Sequence, residues 1–131
     1  MKLPPYAELL GLSIEACGDS PPVLVMPFVA DVVGRPGFVH GGAIGGLLEM
    51  AAIAALYHAL GDDGGDRDGV RVKPVNITVD YMRGGREKPT RARGSVIRLG
   101  TRIANVEARA WQEEADRPIA GARMNLLIDR G

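Results

Sequence analysis

The chain has 131 residues, the length of one ordinary domain and too few for two cores of normal size. Apolar residues make up 46% and charged residues 24%, which excludes a disordered chain. Sixteen basic side chains balance sixteen acidic ones, so no net field steers the chain onto nucleic acid or anionic lipid. The lone cysteine, Cys17, rules out an intramolecular disulfide and a multi-thiolate zinc site, and points to a reducing compartment. Met1–Tyr6 has no long apolar stretch of the secretory kind. These bounds predict one cytoplasmic domain over residues 1–131, with a small-molecule substrate and no nucleic-acid or membrane partner.

Pro4 and Pro5 ahead of Tyr6–Leu10, with Gly11 beyond, predict a short helix. Leu12–Cys17 and Val23–Met26 read as a hairpin around a turn at Asp19–Pro22, and Phe28–Val39 reads as a loop. Gly41 to Leu60 is the long helical candidate, roughly 30 Å at about 1.5 Å per residue. It is apolar on nearly every face, so it is expected to be buried on all sides; four glycines at its start, with Glu49 and His58 inside, argue against a membrane span. The polar loop Gly61–Gly69 lacks carboxylates where a calcium loop needs its first and last ligands.

The remainder alternates with period two. Val75, Ile77, Val79 and Tyr81 share a face; Arg91–Leu99 is less regular. Ala104, Val106, Ala108 and Ala110 share another face, as do Ala120, Ala122, Met124, Leu126 and Ile128. Short turns between these runs make neighbours antiparallel. The fold class expected is α+β: a curved antiparallel sheet of five to six strands wrapped around one long central helix.

Chemistry concentrates at the start of that helix. Gly41 and Gly42 occupy its first turn, where free N–H groups and the helix dipole favour developing negative charge, and His40 precedes them. Glu49 is the only charged residue between Gly41 and Leu60. A carboxylate in such a helix costs several kcal/mol of desolvation unless it is paired or protonated. It is read either as a buried ion pair or as part of an active site, where such acids cluster. A Walker-type phosphate loop is excluded because Ala43 stands where lysine is required. His58 falls half a turn out of phase with Glu49 and reads as a helix-end residue; Cys17 reads as packing. Gly41 and Glu49 lie eight residues, about 12 Å, apart along the axis. One reacting carbonyl reaches both only if two such helices lie antiparallel, Gly41 of one subunit facing Glu49 of another.

His40-Gly41-Gly42, with Glu49 and the alanine-rich helix that follows, resembles the hot-dog-fold acyl-CoA thioesterases of the phenylacetate-degradation type. Val75–Arg83 (VNITVDYMR) is similar to the strand after the helix in that family, and the order of elements agrees from about residue 12 to the end. The resemblance implies hydrolysis of acyl-CoA thioesters in a dimer or tetramer, with no cofactor beyond the coenzyme A carried by the substrate. It makes Glu49 the general base or nucleophile, gives the Gly41 N–H to the thioester carbonyl, and has His40 orient the substrate. Gly42 and Arg83 become substrate-binding residues.

Three positions depart from the family pattern. Gly34 replaces a common asparagine, Glu49 replaces the more usual aspartate, and Arg83 stands where some members carry serine or threonine. Arg83, Arg86, Lys88, Arg91 and Arg93 form a basic cluster that reads either as a contact for coenzyme A phosphates or as a solvated hairpin. Two other functions stay open at this level: a non-catalytic acyl-CoA-binding or partner subunit, which Gly34 motivates, and an enoyl-thioester hydratase.

Overall fold

A computed structural model describes residues 1–65 and 69–131. Helix α1 (Tyr6–Leu9) is one turn, closed by Leu10 and by Gly11 at φ +70°. Strands β1 (Ser13–Cys17) and β2 (Ser20–Met26) form the expected hairpin. Its turn is tighter than the sequence suggested: Cys17 pairs with Ser20 around Gly18 and Asp19, and Pro21 and Pro22 belong to β2. Those prolines are tolerated because β2 pairs on its other side only over Leu24–Met26, so no ladder N–H is needed from them there. The following loop contains a 3-10 turn (Ala30–Val32) and a bridge between Val33 and Val39.

Helix α2 (Gly41–Leu60) has the predicted bounds. His40 caps its start, and Gly61 ends it at φ +66°, donating to the carbonyls of His58 and Tyr57. It is long and apolar enough to cross a membrane, but most of it is buried in the core. The acidic loop that follows includes positions 66–68, which lie outside the described residues. Strands β3 (Arg71–Tyr81), β4 (Thr90–Leu99), β5 (Ile103–Trp111) and β6 (Ala120–Asp129) complete the chain.

All six strands form one sheet in the order β1-β2-β4-β5-β6-β3, antiparallel at every pairing. The sheet wraps α2 with small side chains: Ala92 on β4, Ala104, Val106, Ala108 and Ala110 on β5, and Ala120 and Ala122 on β6 are all buried. The closest approach is at Gly94 of β4, where a Cβ would lie 2.6 Å from the Ala51 carbonyl oxygen and 2.7 Å from the Ala55 methyl. Leu47, Leu48 and Leu56 fill the remaining volume from the helix side.

Two expectations about burial need correction. Ile77, Val79 and Tyr81 do share a face with the buried Met124, Ala122 and Ala120 of β6, but of the three β3 residues only Val79 packs against the core. Val75 is 58% and Tyr81 55% exposed, because β3 is the edge strand and meets α2 chiefly near the strand's C-terminal end. Nor is α2 buried all round: Gly41, Gly42, Gly45, Gly46 and Glu49 form one partly open arc over its first turns.

Candidate active site

The start of α2 is held between the loop before it and the end of β3. His40 donates its N–H to the Val32 carbonyl at 2.7 Å, and its own carbonyl accepts from Ala43 and Ile44. Its ring turns back over the helix, where Nδ1 accepts the Gly42 N–H at 2.9 Å. His40 is therefore the N-cap of α2 in both backbone and side chain. Gly42 does not offer a free N–H to a substrate; its hydrogen is committed to His40. Of the first-turn donors, the Gly41 N–H is left without a partner among the described residues.

Tyr81, the last residue of β3, donates its hydroxyl to the Gly41 carbonyl at 2.7 Å. Its ring lies against Gly41, 3.5 Å from where a Cβ would be, and its hydroxyl oxygen would lie 3.4 Å from a Cβ on Gly45. This contact is not legible along the chain, because it joins residues 40 positions apart and Tyr81 reads there as one more apolar strand residue.

His40, Gly41, Tyr81 and Arg83 line one open cleft of about 480 Å³, with Arg35 and Phe38 on its other rim. The basic cluster predicted near the β3–β4 turn divides. Lys88 pairs with Glu113, and Arg91 with Glu15 at 3.2 Å. Arg86 turns instead onto Phe38, its guanidinium 4.3 Å from the ring centre, with Arg35 at 4.1 Å from the same ring. Arg83, Arg35 and Phe38 thus remain at the cleft, with Arg86 stacked on Phe38 beside it. Arg35 and Phe38 were missed in the sequence because nothing in a loop indicates which side chains will stack.

Gly34 also lines the cleft, and a Cβ on it would stand 3.0 Å from the His40 Cα. Any side chain there needs the loop to give by a few tenths of an ångström. Glu49 lies two turns further along α2 and does not line the cleft. It is half-buried, with no hydrogen bond or ion pair among the described residues. The sealed, ion-paired environment that the sequence allowed is not found. The neighbouring glycines of the arc have no side chains with which to cover the carboxylate.

His58 behaves as a helix-end residue, its Nε2 bonded to the Asp19 carbonyl at 2.8 Å. Cys17 is free and half-buried. No group of three or more histidine, cysteine, aspartate or glutamate side chains that could hold a metal occurs among the described residues. A second groove, about 450 Å³, crosses the outer face of the sheet over Asn76, Asn105 and Asn125, away from α2.

The architecture and the sequence have known counterparts. A model of the thioesterase superfamily matches residues 36–119. A solved protein from Chromobacterium violaceum is 30% identical, with a TM-score of 0.72 over 94% of this chain and 82% of that one. A thioesterase from Haemophilus influenzae superposes with a TM-score of 0.78 at 23% identity, over 95% of this chain and 82% of that one. A phenylacetic acid degradation-related protein from Ralstonia eutropha gives 0.76 at 20% identity, over 97% and 92%. No curated protein matches the chain. With one helix in a curved six-stranded antiparallel sheet, and with most of its length matched by the family model, the chain has the hot-dog fold and belongs to the thioesterase superfamily.

Proposed function

We propose that the chain is a cytoplasmic acyl-CoA thioesterase whose active site is completed across a homodimer, with dimers pairing further into tetramers. Membership of the thioesterase superfamily supports thioester hydrolysis in general. The finer reading rests chiefly on one observation: the Gly41 N–H and the Glu49 carboxylate, on the same open arc of α2, both lack partners among the described residues.

The two groups stand about 12 Å apart along their own helix, too far to act on one carbonyl. Gly45 lies midway, four residues from each. An antiparallel pairing of two α2 helices centred on Gly45 sets Gly41 of each subunit against Glu49 of the other. The edge strand β3 favours the same partner, since it carries unpaired backbone groups beside Val75 and Ile77, 58% and 39% exposed.

In this arrangement the thioester carbonyl oxygen accepts the Gly41 N–H at the positive end of α2. Glu49 of the partner subunit takes a proton from water as the water oxygen adds to the carbonyl carbon. The carbon–sulfur bond then breaks. The proton passes from Glu49 to the departing thiolate, leaving a carboxylic acid and free coenzyme A. Arg83, with Arg35 and Arg86 beside it, offers positive charge for the coenzyme A phosphates at the cleft rim.

The test is thiol release from short, long and aromatic acyl-CoAs by the purified protein and by Glu49→Ala. The expected loss in the variant is at least about 100-fold, with folding and oligomeric state unchanged. Undiminished hydrolysis by Glu49→Ala would overturn the role given to this carboxylate. Saturable binding without turnover by the wild-type protein would favour a non-catalytic subunit.

A further inference from the structure

We propose that Tyr81 is a positioning residue for this site: its hydroxyl holds the Gly41–Gly42 peptide, and through that peptide it fixes His40 with the ring proton on Nε2. The catalytic consequence rests on the thioesterase reading; the tautomer itself does not.

Three groups form a continuous chain. The Tyr81 hydroxyl donates to the Gly41 carbonyl at 2.7 Å, and the same peptide unit carries the Gly42 N–H. That N–H donates to His40 Nδ1 at 2.9 Å. A nitrogen that accepts a hydrogen bond carries no proton, so the neutral imidazole must hold its proton on Nε2. His40 Nε2 has no partner among the described residues, and the ring is exposed beside the cleft.

The cleft thereby gains a second donor, Nε2–H, close in sequence to the Gly41 N–H. Both suit a thioester carbonyl oxygen that becomes more negative as water adds. The phenol strengthens the arrangement because hydrogen bonds on the two sides of one peptide polarise each other. Packing alone does not account for the hydroxyl. The ring already packs against Gly41, and phenylalanine would do that equally well.

Tyr81→Phe removes one oxygen and leaves this packing in place. The chain has two histidines, so long-range proton–nitrogen NMR of the imidazoles reads His40 directly, with His58 as an internal reference. In the wild-type protein at a pH where the ring is neutral, His40 is expected almost wholly as the Nε2–H form. In Tyr81→Phe the Nδ1–H form is expected to appear. For acyl-CoA hydrolysis kcat should fall roughly 10-fold with KM nearly unchanged, less than the effect of a gross misplacement. An unchanged His40 tautomer in the variant overturns the proposal, and so does a shifted tautomer with undiminished kcat. If the wild-type protein hydrolyses no acyl-CoA, the thioesterase reading fails separately, and the imidazole spectra still decide whether Tyr81 controls His40.

Discussion

The imidazole of His40 occupies the space in which a side chain on Gly42 would begin: a Cβ there would lie 2.9 Å from both Nδ1 and Cε1 of the ring. Glycine at this position is therefore a condition of the cap, and not only of close helix packing. In Gly42→Ala the ring, as the movable partner, swings away and the Gly42 N–H loses its acceptor. Loss of an N-cap costs about 1 kcal/mol, which lowers the melting temperature of a domain this size by a few degrees. Thermal melting should show that modest loss, while thiol release falls much further because His40 has left the cleft.

Gly94 tests the packing of sheet on helix independently of the site. A methyl group there meets the Ala51 carbonyl oxygen at 2.6 Å and the Ala52 Cα at 3.0 Å, both backbone atoms that cannot turn aside. Gly94→Ala should destabilise the protein by about 1–3 kcal/mol, the usual cost of overpacking. Ser95→Ala, on the exposed face of the same strand, should stay within about 0.5 kcal/mol. Urea unfolding midpoints of the two variants make the comparison.

Tyr57 gives the protein an alkaline limit. Burial raises the pKa of its phenol above the usual 10.0, the Asp62 carboxylate adds to the rise, and a backbone hydrogen bond with Val72 opposes it. Below pH 10 the phenol is protonated in both the folded and unfolded states, and its contribution to stability is fully present. Above that the unfolded chain releases its proton first, so this contribution is lost as pH rises through the folded value. Stability measured between pH 9 and 11 should fall, and Tyr57→Phe should flatten the decline.

Much of this was legible along the chain, and the exceptions have physical causes. The bounds of α2 were readable because its apolar run is closed by a histidine–glycine start and a terminal glycine. The inner face of β4 was not, because Thr90, Ala92 and Gly94 are too small and mixed to show as an apolar alternation, although all three are buried. In β3 the alternation was plain but its meaning was not. Apolar spacing shows which residues share a face, not whether anything in the same chain covers it. Around the site, His40, Gly41 and Arg83 could be brought together on sequence alone, whereas Tyr81 and Arg35 depend on contacts made only on folding.

The strongest test of the cross-subunit site uses two variants, each expected to be inactive. Glu49→Ala removes the base. Gly41→Pro removes the first-turn N–H, at a helix position where proline is well tolerated and a Cβ meets Tyr81 at ordinary contact distance, and should cost roughly 100-fold or more in kcat. Each homodimer then lacks one of the two groups at both of its sites. In a mixed dimer, the Glu49→Ala subunit still supplies the Gly41 N–H, and the Gly41→Pro subunit still supplies Glu49. One of the two sites is whole. Unfolding and refolding the two together at equal amounts makes about half of the dimers mixed, so about a quarter of wild-type thiol release should return. If both groups acted from the same chain, no mixture would regain activity, because neither subunit holds the pair intact.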